Sequence, residues 1–132
     1  MIVNKQFLEN LTLQAKQNPR LRQAYDLRNS IDDQSQRMLN ALEPGTVLPI
    51  HRHRTTSEVT SVVCGRVKQN IYDDNGILIE SFEASANVFP NFYVTPCGVW
   101  HNTVCLESGT IIFEAKDGAY KPLLPEDVME RD

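Results

Sequence analysis

Apolar positions near the start of the chain recur at helical spacing. Phe7, Leu8, Leu11 and Ala15 fall on one face. Asn4 stands where a helix is capped, and Asn18-Pro19 where one must end, because the residue before proline disfavours the α region. This predicts a short N-terminal helix over about 4–17, its stripe lying on its own domain or on a dimer mate. Residues 16–37 are polar and read as a solvated connector. Lys16, Arg20, Arg22, Arg28 and Arg37 are the candidates on it for gripping a phosphate or carboxylate.

From Gln36 the texture changes to short runs rich in Val, Ile, Thr, Phe and Tyr, broken by Gly, Pro, Asn and Asp. Glu43-Pro44-Gly45 and Glu107-Ser108-Gly109 read as turns. Asp73-Asp74-Asn75-Gly76, between Val67–Tyr72 and Ile77–Phe82, is a hairpin signal. Strands at this spacing predict an all-β antiparallel sandwich or barrel over about 36–116. The tail, 117–132, wraps the outside or frays.

Composition narrows the reading. The chain has 132 residues, enough for one domain with its own core. Net charge is −4 and the sequence pI is near 5.3, so there is no basic excess for nucleic acid. No apolar run approaches the ~20 residues of a membrane span. The first residues lack the layout of a signal peptide, which makes cytoplasmic the expected location. Cys64, Cys97 and Cys105 are an odd set without a C-x-x-C pair, which argues for reduced thiols.

The candidate chemistry is concentrated in three histidines, His51, His53 and His101. Residues two apart on a strand share a face, so His51 and His53 aim together and Arg52 points away. Glu58 joins them only if Arg54-Thr55-Thr56-Ser57 turns the chain and Glu58 opens the next strand. Thr60, Val62 and Cys64 then follow it inward. Pro96-Cys97-Gly98 reads as a tight turn into a strand carrying His101, with Thr103 and Cys105 on the same face. Three imidazoles and one carboxylate suit Fe(II), Mn(II), Ni(II), Co(II) or Zn(II). Cys64 and Cys105 fill the core, or else sit as thiols near the metal. Trp100 packs against the opposing sheet, the helix or a dimer mate. Asn40, Tyr72, Tyr93 and Glu114 are pocket-wall candidates that strand parity does not place.

The stretch Gly45-x5-His51-x-His53-x4-Glu58-x6-Gly65 resembles the first cupin motif, and Pro96-x-Gly98-x2-His101 the core of the second. Pro90 and Cys105 stand where the general second motif has glycine and asparagine. Ser35–Thr46, His51-Arg52-His53, Trp100-His101 and Phe113–Tyr120 resemble the WbuC-type cupin metalloproteins, over about residues 3 to 125. The resemblance implies a cupin double-stranded β-helix, a jelly-roll-like barrel, with a metal held by His51, His53, Glu58 and His101, and a homodimer. It also associates the chain with surface-polysaccharide biosynthesis.

The leading functional expectation is a metal-dependent enzyme, an isomerase or related Lewis-acid catalyst, acting on a small polar metabolite such as a sugar or sugar-nucleotide derivative. An Fe(II)-dependent dioxygenase uses the same ligands. A non-catalytic module that senses a small molecule or metal is the alternative from another class.

Overall fold

The computed structural model describes residues 1–129. Helix α1 (Lys5–Gln17) begins where the Asn4 side chain accepts the backbone N–H of Phe7 at 2.9 Å. It ends at Asn18, whose N–H donates to the carbonyls of Gln14 and Ala15. Leu11 and Ala15 are buried against Leu39, Ala41 and Ile111, so the apolar stripe covers the helix's own domain. No helix among the described residues is long and apolar enough to cross a membrane.

Two five-stranded antiparallel sheets face each other. One holds β1 (Arg22–Asp26), β2 (Ser35–Leu42), β9 (Thr110–Asp117), β4 (Glu58–Cys64) and β7 (Phe92–Thr95), in that order. The other runs β10 (Val128–Met129), β3 (Ile50–His51), β8 (Trp100–Cys105), β5 (Arg66–Tyr72) and β6 (Leu78–Ser85). The chain crosses repeatedly between the two sheets, the all-β jelly-roll arrangement that the alternation of short strands and turns predicts. The Asp73–Gly76 turn closes the β5–β6 hairpin, with the Asp73 N–H donating to the Ile77 carbonyl.

Alternation along β2 and β9 sorts their side chains onto two buried faces. Leu39, Ala41 and Ile111 go to α1, while Leu42 and Ile112 join Val62, Val67, Ala84, Tyr93 and Cys105 between the sheets. That inner cluster fills one part of the interior and leaves the rest to polar groups. α1 lies mainly over β1, β2 and β9 of its sheet.

Three expectations are corrected. The polar stretch 16–37 is more than a connector, because Arg22–Asp26 pairs with Met38–Leu42 at the sheet edge. Its outer face meets the helix through Tyr25 and Phe7, ring centroids 4.9 Å apart, and its inner face meets a cavity of mixed polar and apolar lining. Neither face imposes an apolar alternation, so the strand leaves little trace in the pattern. Cys64 does not follow Val62 inward. A β-bulge between Val62 and Cys64 shifts the register and turns Cys64 out against the helix-side cluster. The tail does more than wrap or fray, because Val128 and Met129 pair with His51 and Ile50. Its last three residues, 130–132, lie outside the described residues.

Candidate metal centre

The site is built where the second sheet presents its histidines to the first. His51 on β3 and His101 on β8 are direct cross-strand partners, with ring centroids 4.4 Å apart. His53 lies just beyond β3, 4.9 Å from the His51 ring and 5.8 Å from that of His101. Its carbonyl accepts the Gly98 N–H at 2.7 Å, which ties the two histidine segments together. Gly98 takes a φ of 79°, so the Pro96–Gly98 turn uses the left-handed freedom that glycine supplies. One nitrogen from each ring lies within 4.8 Å of the other two.

Glu58 opens β4 on the facing sheet, after the loop that the Arg54–Ser57 stretch predicts. Its Oε2 is 3.7 Å from His53 Nε2 and its Oε1 is 3.9 Å from His101 Nε2. The sheet-to-sheet approach thus brings the carboxylate against two of the three rings.

The imidazoles are prepared for an acceptor role. The Nδ1 of His51 pairs with the Pro49 carbonyl and that of His101 with the Val99 carbonyl, each at 2.9 Å. A carbonyl only accepts, so both Nδ1 atoms carry the hydrogen and both Nε2 lone pairs face the cluster. The Nε2 atoms of His53 and His101 are buried without a hydrogen-bond partner. A buried polar atom without a partner costs about 1–3 kcal/mol; a bound cation would satisfy His101 Nε2 as it stands, and His53 Nε2 in the tautomer that carries its hydrogen on Nδ1. Burial, reinforced by neighbouring His101, lowers His51 to about 4. Burial and then the Lys116 ammonium lower His53 to about 3, and burial lowers His101. All three rings are therefore neutral at neutral pH, the form that binds a metal. The residues present fit a divalent transition metal.

Further groups complete the surroundings. Lys116, the cross-strand partner of Glu58, places Nζ 3.7 Å from Glu58 Oε2 and 3.5 Å from His53 Nδ1. Asn40 Nδ2 donates to Glu114 Oε1 at 2.6 Å, and both residues border a cavity of about 240 Å³ shared with His51, Glu58 and His101. Burial, with Glu58 beside it, pushes the Glu114 carboxyl well above the usual carboxylate range. Of the other wall candidates, Tyr93 lies in the core cluster, where burial pushes its phenol up. Tyr72 shares the outer side of its sheet with Trp100 and donates to Asn102 at 3.2 Å.

Sequence reading missed Lys116 and Asp127. The signal for Lys116 was alternation along β9, which puts Ile112, Glu114 and Lys116 on one face. Asp127 left no such signal. It is buried, and its Oδ1 accepts from Arg52 Nε at 3.0 Å and from Arg54 Nε at 2.6 Å, so it clamps the histidine segment from the chain's far end. Trp100 packs under the Arg52 guanidinium, 4.5 Å from its ring centroid, and Nε1 donates to Asp74. Among the described residues its contacts are thus with Arg52 and Asp74 rather than with the helix or the opposing sheet. Cys105 is core filling, with its thiol on the carbonyls of Leu42 and Glu107, and Cys97 is exposed.

Solved structures share this architecture. KdgF from Halomonas sp. superposes with a TM-score of 0.60 at 18% identity, over 76% of this chain and 82% of that one. The capsular polysaccharide assembling protein CapF from Staphylococcus aureus gives 0.66 at 21%, over 80% of this chain and 29% of that one. A variant of oxalate decarboxylase from Bacillus subtilis gives 0.58 at 19%, over 73% and 25%. The chain therefore spans most of KdgF and less than a third of the other two. These are cupins, and the likeness shows the cupin fold. Among curated proteins no sequence matches the chain. One family model matches residues 3–84, well over half of the chain, and on that match the protein belongs to the family described as Domain of unknown function (DUF6016).

Proposed function

We propose that this cupin is a metal-dependent enzyme acting on a small polar metabolite, with the metal held by His51, His53, Glu58 and His101. The observation that carries the reading is the cluster of three neutral imidazoles, two of them with buried and unpartnered Nε2 atoms, of which His51 and His101 line a cavity. When bound, a divalent transition metal supplies Lewis acidity that polarises a carbonyl or hydroxyl oxygen.

The chain's own groups supply the remainder. The carbonyls of Pro49 and Val99 hold two rings in the ligating tautomer. Lys116 balances the charge of Glu58. Glu114 borders the cavity outside the ligand set, with Asn40 fixing one of its oxygens, and is the candidate to move a proton during isomerisation or enolisation of the metabolite. The WbuC-type resemblance and the likeness to CapF support a sugar derivative and a link to surface polysaccharide.

The test is to load purified protein with Fe(II), Mn(II), Co(II), Ni(II) or Zn(II), remove free metal, and measure content and turnover of small aldoses, ketoses and their derivatives. About one ion per chain and metal-dependent turnover are expected. His53→Ala should lower metal affinity by about 100-fold or more, since even an outer partner of a ligand is worth 10–100-fold. Unchanged metal content in that variant would remove the ligand assignment.

A further inference from the structure

We propose that Arg22 forms a carboxylate subsite in the wall of this cavity, so that the substrate is a small hydroxy or oxo acid reaching from the guanidinium to the histidine cluster. The inference rests on the metal reading above and narrows its substrate class.

Arg22 opens β1, directly opposite Leu42 in the register, and lines the same cavity as His51 and His101. Among the described residues only Arg20 and Arg22 of the arginines meet no carboxylate, and Arg20 does not line the cavity. Arg28, Arg37, Arg52, Arg54 and Arg66 each meet a carboxylate, on Asp26, Asp33, Asp127, Asp127 and Glu83 respectively. Among the described residues no acid lies within ion-pair distance of Arg22. Its guanidinium donates from Nη1 to the Val47 carbonyl at 2.7 Å, which orients the group without neutralising it.

The two acids of the cavity are engaged elsewhere, Glu58 with Lys116 and the histidines and Glu114 with Asn40. A planar fork with donors to spare, at the wall of a partly apolar cavity, matches a carboxylate bound through two N–H groups. Phosphate is less well served by one arginine with a nitrogen already committed. The volume decides the size. About 240 Å³ falls below the ~300–1,000 Å³ of pockets for drug-sized ligands, which suits an acid of roughly three to six carbons and is too little for a nucleotide sugar.

Calorimetric titration tests this on wild type, Arg22→Gln and Arg22→Lys, metal-loaded and metal-free, with metal content measured on every sample. The probes are glycerate against glycerol and glycerol phosphate, and gluconate against sorbitol. The metal-loaded wild type should bind each acid at least tenfold more tightly than its neutral counterpart. Arg22→Gln should bring that ratio close to one with metal content unchanged, and Arg22→Lys should fall between them. Equal binding of acid and polyol, a preference kept in Arg22→Gln, or tighter binding of the phosphate would each overturn the subsite. A wild type that takes up no metal would overturn the metal reading instead. An Arg22-dependent preference for acids in such protein would still support the subsite.

Discussion

At the scale of single residues, the histidines couple the site to pH. Each ring titrates lower in the fold than in the unfolded chain, near 6.5, because burial disfavours its charged form. Between the two values the unfolded chain binds more protons, so the stability of the metal-free protein is fully present above about pH 6.5 and is lost as pH falls toward 4. Glu114 is shifted upward and acts in the opposite sense, but it is one group against three. Urea unfolding of metal-free protein should show a loss of stability from pH 7 to pH 5 that shrinks in His51→Gln. An equal loss in both proteins would show that His51 is not one of the groups responsible. Gly65 gives a second residue-scale expectation. It sits at a φ of +79°, where a Cβ would lie 2.7 Å from Thr110 Cα, so both the backbone conformation and the space demand glycine. Gly65→Ala should cost about 2 kcal/mol or more in denaturant unfolding.

At the scale of elements, the two-residue strand β3 cannot hold its histidines alone. It shares one register pair with β8, and its other edge is completed by β10 from the chain's end. The Arg52 N–H donates to the Asp127 carbonyl, and the Asp127 carboxylate, lowered by its bonds to Arg54 and Arg52, grips both side chains. Asp127→Asn keeps the backbone bond and loses the charge. It should lower metal affinity about 10-fold or more while changing the unfolding midpoint little, measured by competition with a chelator. Equal losses of affinity and stability would make Asp127 a general staple of the fold. The elements also differ in how legible they were. The helix and the β5–β6 hairpin carry local signals, a cap, a stripe and an Asn-Gly turn. The edge strand β1 and the bulge before Cys64 carry none, because both depend on what lies across from them.

At the scale of the whole molecule, one surface stands out. Val59, Val63, Phe92 and Val94 sit on the outer side of β4 and β7, beyond the cover of α1, with Phe92 and Val94 each 56% exposed. β7 is also a sheet edge with unpaired backbone groups. A second copy of the chain, pairing β7 with β7 about a twofold axis, would cover both. Analytical ultracentrifugation should find a dimer, and Phe92→Asp should shift it to monomer with metal content unchanged. A monomeric wild type would exclude this face as the interface.

The amino-acid order alone determined the all-β class, the N-terminal helix and the ligand candidates, because alternation, caps, turns and the spacing of His51, His53 and Glu58 act over a few residues. Only the tertiary structure decided which neutral and charged groups surround those candidates. Lys116 reaches Glu58 through strand register, Arg22 and His101 come to line one cavity, and Asp127 returns from far along the chain. Such neighbours are set by the closing of one sheet on another, an event that no local pattern encodes.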